Sequence, residues 1–274
     1  MEKFSVLMPV YYKDNPLFFE RALTSITVDQ TRMPDEVLII EDGPIGDSLR
    51  EVVNKFKRKF KFIKTHQIKE NRGLGNALRI GVELCTFNYI ARMDSDDISM
   101  PQRFELQLEF IKNNKCDAVG SDVAEFVEDE NDIKRFRCVP KKYDEIVEFS
   151  KRRCPINHPS VMFKRNSILS AGNYRSNYLL EDYDLWVRLI QKGFVILNTG
   201  TVLLKMRADE NLYIRRGGVK YFYSMYSFQK FLFRTGYINW YIFITNLLTH
   251  FIVKVIMTGN IRKAFYGKVL RNDF

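Results

Sequence analysis

Residues 87–103, FNYIARMDSDDISMPQR, hold an apolar run, then three carboxylates within four positions, then a proline. FNYIARM reads as a buried strand, and the chain leaves it where Asp94, Asp96 and Asp97 begin. From residue 101, PQRFELQLEFIKNN repeats apolar residues at helical spacing with proline at its start. A strand, an acidic loop and a helix in that order form one unit of an α/β fold. Carboxylates this close repel one another unless a cation lies between them or water screens them. Asp97 or Ser99 is expected to cap the helix that starts at Pro101. A cap needs one short polar side chain, however, and this loop offers several.

The same alternation extends in both directions. FSVLMPV (4–10) is a continuous apolar run, as expected of a strand buried on both faces. The polar loop YYKDNP follows, then LFFERALTSITVDQ, where Leu17, Phe18, Ala22 and Ile26 recur at roughly helical spacing. EVLIIEDG is a second strand ending in acids and a glycine, SLREVVNKFKRKF a basic amphipathic helix, and KFIKTH a short strand. NRGLGNALRIGVELC reads as a loop and helix, and CDAVGSDVAEFV as one or two strands. Strands alternating with helices over about 120 residues imply a mostly parallel sheet with right-handed crossovers. Later, HPSVMFKR reads as a strand, LEDYDLWVRLIQKG as a helix and FVILNTGTVLLKMR as a strand pair. Past residue 210 the pattern is helical. The expected fold class is therefore α/β, a Rossmann-like, mostly parallel sheet flanked by helices, with a helical C-terminal extension. The expected division is one α/β domain over 1–210, alternating regularly to about 120 and less regularly beyond it. A basic, aromatic tail over 211–274 follows.

With 274 residues, 46% of them hydrophobic, the chain can bury a substantial core. Its four cysteines lie far apart with no C-x-x-C pair, which speaks for reduced thiols and against a zinc site. The first strand-like run starts within a few residues of Met1, so no cleavable leader is expected. The net charge of +10 is concentrated at one end, because residues 211–274 hold ten Lys/Arg and a single acid, Asp273. Such a tail suits either nucleic acid or an anionic membrane. No RRM or KH signature accompanies it, which disfavours the first.

Ligands of open parallel sheets bind beyond the carboxyl ends of the strands. Asp42 and Gly43 fall there after the second strand, and Asp94 to Asp97 after the fourth. Acids in such places either hold a hard divalent cation, which prefers oxygen ligands, or accept hydrogen bonds from a nucleoside. No G-x-x-x-x-G-K-[ST] loop is present, and the two glycines of NRGLGNA are a weak signal. A helix N-terminus near Gly73 still favours phosphate, and Arg72 beside it either contacts a nucleotide or forms a surface ion pair. A second acid cluster, LLEDYDLWVR (179–188), puts Asp182 and Trp186 on one helix face. Its acids are either dipole partners of the helix start or, at Asp182, a general base.

Together these stretches resemble the family 2 glycosyltransferases, inverting nucleotide-sugar enzymes with a GT-A fold. FSVLMPVYYKDN, LIIEDG, NRGLGNALRIG, ARMDSDDISMPQR and LLEDYDLWVR stand in that family's order across about residues 3–205. The likeness is especially close to bacterial galactosyltransferase-like enzymes of surface polysaccharide synthesis, such as O-antigen, capsule or exopolysaccharide, and implies that 1–210 is a catalytic domain with a nucleotide-binding half to about 120 and an acceptor half beyond it. The resemblance implies that Pro9, Val10 and Tyr11 line the nucleotide pocket, that Asp42 accepts from uracil N3–H, and that Arg72 and Gly73 lie against the base or phosphates. It implies that Asp94 and Ser95 face the ribose or metal, and that Asp96 is the principal ligand of Mn²⁺ or Mg²⁺. Asp97 is then a cap or a supporting partner. His158, in NHPSVMF, falls near the diphosphate and metal. Asp182 is the implied base, with Glu181 and Trp186 on the acceptor side. The implied partners are a UDP-sugar donor, a polyprenyl-diphosphate-linked saccharide acceptor and the inner face of the plasma membrane, with no nucleic acid. The Q-x-x-R-W motif of processive synthases is absent, which favours transfer of one sugar per acceptor.

INWYIFITNLLTHFIVKVIM (238–257) is nominally long enough to span a bilayer, but Asn239, Asn246, His250 and Lys254 interrupt it. The expectation is an amphipathic helix lying on a membrane or packed on the catalytic domain, with a homodimer surface as the alternative.

Overall fold

The computed structural model describes residues 2–175, 179–208 and 218–257. Nine strands form one sheet: β1 (Phe4–Val10), β2 (Glu36–Glu41), β3 (Ile63–Gln67), β4 (Tyr89–Arg92), β5 (Ile98–Ser99), β6 (Ala118–Phe126), β7 (Arg135–Arg137), β8 (Met162–Lys164) and β9 (Ile196–Arg207). Their order is β3-β2-β1-β4-β8-β6-β9-β5, with β7 also paired to β6. The pairs β1–β2, β2–β3, β1–β4 and β6–β9 are parallel and carry the long ladders. The pairs β4–β8, β6–β8, β6–β7 and β5–β9 are short and antiparallel. The α/β architecture with a mostly parallel sheet is as the sequence predicts. Every residue of β1, β2 and β6 is buried, the signature of strands covered on both faces.

Helices α1 (Pro16–Ile26), α2 (Asp47–Lys59) and α4 (Arg103–Asn114) cover one face of the sheet, and α3 (Leu74–Leu84), α6 (Arg165–Ser170) and α7 (Glu181–Gln191) the other; α5 (Tyr143–Ser150) lies beside this second core. Asn15 caps α1 by accepting from the amides of Leu17 and Phe18, and Pro16 fills the first position, where no amide partner is needed. The buried face of α1 is Phe19, Ala22, Leu23 and Ile26, so Leu17 and Phe18 do not belong to it. Phe18 instead carries the Arg207 guanidinium 3.7 Å above its ring.

Two further local expectations are corrected. Residues 194–207 do not form a strand pair: β9 is a single strand that follows β6 through two register shifts, with Gly200 at φ +71° in the irregular stretch. Neither Asp97 nor Ser99 caps α4, which begins after Gln102 with no side-chain cap. Ser99 lies in β5, and Asp97 bonds to β9 instead.

α3 approaches β1 closely through Gly81, where a Cβ would lie 2.2 Å from Cδ1 of the buried Leu7. Replacing a helical glycine usually stabilises, but here the missing side chain is what lets helix and sheet meet. Gly81→Val is expected to cost about 1–3 kcal/mol, the usual range for overpacking. A lower urea midpoint at unchanged slope would report it; an unchanged midpoint would show that the core yields at no cost.

The last helices, α8 (Val219–Arg234) and α9 (Trp240–Phe251), run into a π-helical turn at Ile252–Ile256. Residues Leu180, Tyr183 and Val187 of the α7 region pack with Tyr221, Phe228 and Leu232 of α8 in a third apolar cluster. Among the described residues no helix is long and apolar enough to cross a membrane. The tail expectation for 209–217 and 258–274 lies outside the described residues.

Candidate active site

The chain leaves β1 for β2 and β3 on one side and returns to β4 on the other, so the order in which strands are added switches side between the parallel pair β1 and β4. The loops after two such strands diverge and leave a crevice at their carboxyl ends. Tyr11 to Asp14 occupy one wall and Asp94 to Asp97 the other. One side chain joins them: Asp14 Oδ2 accepts from the Tyr11 amide at 3.0 Å and from Ser95 Oγ at 2.9 Å. The implied pocket segment Pro9–Tyr11 is thereby fixed, and the Asp42 amide donates to the Val10 carbonyl at 2.8 Å.

Asp94 is held by Arg92, whose guanidinium makes two contacts with its two carboxylate oxygens. Arg92 is only 1% exposed, so this strand residue carries a positive charge into the crevice floor. A buried guanidinium left unpaired would be strongly destabilising, which explains the carboxylate two residues on. Asp96 is open to solvent, yet protein crowds it, as expected at a recess. That crowding, then repulsion from Asp94 and Asp14, pushes its carboxyl up to about 7. Asp14 rises to about 6, chiefly by burial, with Asp94 adding to the effect. Asp97 is 1% exposed; its Oδ1 accepts from the Arg207 amide at 2.9 Å, and its Oδ2 is buried with no partner among the described residues. Burial, then Asp96 and Asp94, hold it well above the ordinary carboxylate range.

Three carboxylates whose proton affinity is raised beside Asp94, one of them with an orphaned oxygen, make a place where a cation is favoured. Among the described residues no three His, Cys, Asp or Glu side chains are grouped to hold a metal by themselves. A hard divalent ion here could draw on one or two of these carboxylates.

Asp42 is 4% exposed and uses its carboxylate to bind backbone: Oδ1 accepts from Arg72 N at 2.9 Å and Oδ2 from Gly73 N at 2.8 Å. It thus anchors the turn that starts α3, where Gly73 adopts φ +86°. The Arg72 side chain points away to an exposed pair with Glu70 at 2.8 Å. The surface ion pair is therefore the observed state of Arg72.

The second acid cluster opens α7. Asp184 is 2% exposed and pairs with Arg188 at 2.8 Å, so it stabilises the helix. Asp182 is half-buried, and its Oδ2 accepts from the Cys154 thiol at 3.5 Å. Glu181 packs against Gly75 at the start of α3. The two acid clusters meet around one buried phenol: the Tyr174 hydroxyl is raised by burial, lowered by Arg92, and raised again by Asp182, Glu181 and Asp94. The Tyr174 hydroxyl also bonds His158 Nε2 at 2.9 Å. A metal could reach that nitrogen only by breaking this bond. Trp186 is fully buried in the core, edge-on to His158 at 6.0 Å, so it offers an acceptor no surface. It supports the site from below.

Sequence reading missed Asp14, Arg92, Arg207, Tyr174 and Cys154. Arg92 left a signal, since a charge inside an apolar strand demands a buried counter-charge. The others left none.

The model of the family described as "Glycosyl transferase family 2" matches residues 5–170. The chain belongs to this family. It is 40% identical over 270 residues to the "UDP-Gal:alpha-D-GlcNAc-diphosphoundecaprenol beta-1,3-galactosyltransferase" of Escherichia coli, covering 98% of this chain and 97% of that one. It is 35% identical over 240 residues to the amylovoran biosynthesis glycosyltransferase AmsE of Erwinia amylovora, covering 86% and 89%. Among solved structures it is similar to S. aureus TarS 1–349 in complex with UDP-GlcNAc, at TM-score 0.70 and 16% identity, covering 97% of this chain and 76% of that one. It is also similar to the mannosyltransferase PcManGT of Pyrobaculum calidifontis in complex with GDP-Man and Mn²⁺, at TM-score 0.65 and 15% identity, covering 99% and 76%. The fold of this family 2 glycosyltransferase is GT-A, as the motifs imply.

Proposed function

We propose that this family 2 enzyme transfers galactose from UDP-galactose to a saccharide linked to a polyprenyl diphosphate, one residue per acceptor, in the synthesis of a bacterial surface polysaccharide. The observation that carries donor and acceptor is the end-to-end similarity to the E. coli galactosyltransferase. The reaction is inverting. Asp182 accepts the proton of the acceptor hydroxyl while that oxygen bonds to the anomeric carbon and the bond to UDP breaks. An α-linked donor then gives a β-glycoside.

Asp94 and Asp96 would hold Mn²⁺ or Mg²⁺, with Asp97 and Asp14 supporting them. The ion, when bound, neutralises the diphosphate and stabilises it as a leaving group. The backbone of Pro9 to Tyr11 and Ser95 orient the nucleoside, and Asp42 shapes that wall through the Arg72–Gly73 turn. Arg72 would leave Glu70 to reach the donor. The catalytic domain is read as 1–210 and the tail, 211–274, as the part that meets the cytoplasmic face of the membrane.

The test is a panel of UDP-sugars with Mn²⁺ and a short-chain GlcNAc-diphosphate lipid, read by product mass and linkage. UDP-galactose giving a β-galactoside is the expected result. Preference for UDP-glucose or UDP-N-acetylglucosamine would overturn the choice of sugar, and a retained α-configuration would overturn inversion.

A further inference from the structure

α9 is inside out. In water a surface helix turns its polar face outward and its apolar face to the core. Here Asn246, His250 and Lys254, four residues apart, turn toward the protein. Asn246 is buried and donates to Lys151 O and Gln229 Oε1, both at 2.9 Å. Lys254 is 4% exposed with Nζ 4.8 Å from the centre of the Tyr221 ring. Burial pushes the His250 imidazole down to about 4, with Lys254 and Arg153 adding to the effect. The opposite row, Trp240, Ile244, Leu248, Ile252 and Ile256, also repeats every four residues and is between 44% and 68% exposed.

We infer that this row is the surface by which the enzyme docks on an anionic lipid bilayer, with α9 lying in the plane of the interface. The inference rests on the membrane reading of the tail given above and assigns it to particular side chains. Three observations favour lipid over a second copy of the chain. Among residues 218–257 the exposed charges are Lys220, Lys230 and Arg234, with no Asp or Glu, so two copies would oppose like charges while anionic head groups would be attracted. Arg152 lies beside the helix, donating to Thr245 Oγ1 at 3.3 Å, and adds to that field. Trp240 and Tyr241, both exposed, stand at the start of the helix, and such amphipathic rings favour the membrane–water boundary.

Docking there reaches the site through packed layers. Phe243 stacks on Phe233 of α8 at 5.3 Å, and Phe228 of α8 lies 4.6 Å from Tyr183, which adjoins Asp182. The acceptor-side helix is therefore fixed to the docking helix by apolar contacts, which suits a reaction whose acceptor is embedded in lipid.

The experiment uses the full chain and vesicles of phosphatidylcholine and phosphatidylglycerol in equal parts. Wild type is expected to co-sediment at low salt. Ile244→Glu/Leu248→Glu, at exposed positions, should bind roughly tenfold or more weakly, because each buried apolar side chain lost weakens partitioning. Brominated lipid should quench Trp240 and spare the fully buried Trp186, the quenching vanishing in Trp240→Phe. Transfer to a short-chain, water-soluble acceptor should be the same for wild type and the double variant. Equal vesicle binding by the double variant would overturn the inference. So would a wild-type dimer in sedimentation velocity that ignores vesicles and is monomeric in the variant, since that gives the face to a second copy. Absence of sugar transfer by both proteins would count against the donor and acceptor reading, and the vesicle result would still decide this one.

Discussion

Asp182→Asn is expected to lower turnover by roughly 10²- to 10⁴-fold, the usual scale for a lost general base. The amide keeps the size of the carboxylate and can still receive the Cys154 thiol, so α7 should fold as before. Affinity for the UDP-sugar should hardly change, because the crevice between β1 and β4, proposed to receive the nucleotide, draws on other acids. Measuring turnover and donor affinity separately checks this. Near wild-type turnover in the variant would remove Asp182 as base and leave Glu181 as the candidate, since Asp184 is spent on Arg188.

Asp96→Ala should behave in the opposite sense. UDP binding in Mn²⁺ should fall by at least about tenfold, as losses of metal affinity of that order follow disruption even of supporting ligands. Turnover should be abolished in the variant, and in wild type treated with EDTA until Mn²⁺ or Mg²⁺ is restored. A stability readout separates this from misfolding. Asp14 and Asp96 have folded-state values of about 6 and about 7, above the ordinary 3.8, so between those limits the folded chain binds more protons than the unfolded one. The metal-free protein therefore loses stability as pH rises from the unfolded value through the folded ones. Adding Mn²⁺ with UDP should raise the melting temperature most at the upper end of that range. Asp96→Ala should show a flatter profile and little response to Mn²⁺. A wild-type response in the variant would falsify the metal assignment.

Much of the fold was legible because the buried strands write their environment directly. FSVLMPV and EVLIIE have no polar face to confuse with a helix, and the acids after β2 and β4 mark where those strands end. The misread elements share a cause, which is that distant chain decided them. β9 looks like a hairpin around Gly200, but its pairing to β6 absorbs the glycine as an irregularity. Asp97 looks like a cap until Arg207, 110 residues away, takes its Oδ1. In the site, residue type and spacing marked Asp94, Asp96 and Asp182, while orientation was invisible. Nothing local says that Trp186 points inward or that Asp42 bonds backbone amides. Asp14, in an ordinary polar loop, acquires its place only when the β1 and β4 loops are brought together.

The bond between Arg207 and Asp97 also sets an order of assembly. The acidic loop lies in the first half of the chain, but the strand that fastens it, β9, comes far later and pairs with both β5 and β6. A nascent chain on the ribosome can form the β1–β4 layer early, from contacts close in sequence. It cannot fasten the acidic loop to β9 until residue 207 has been made and has cleared the exit tunnel. Synthesis therefore passes through a stage in which the β1–β4 layer exists but its acidic loop is not yet fastened, and β9 orders that loop as it joins the sheet.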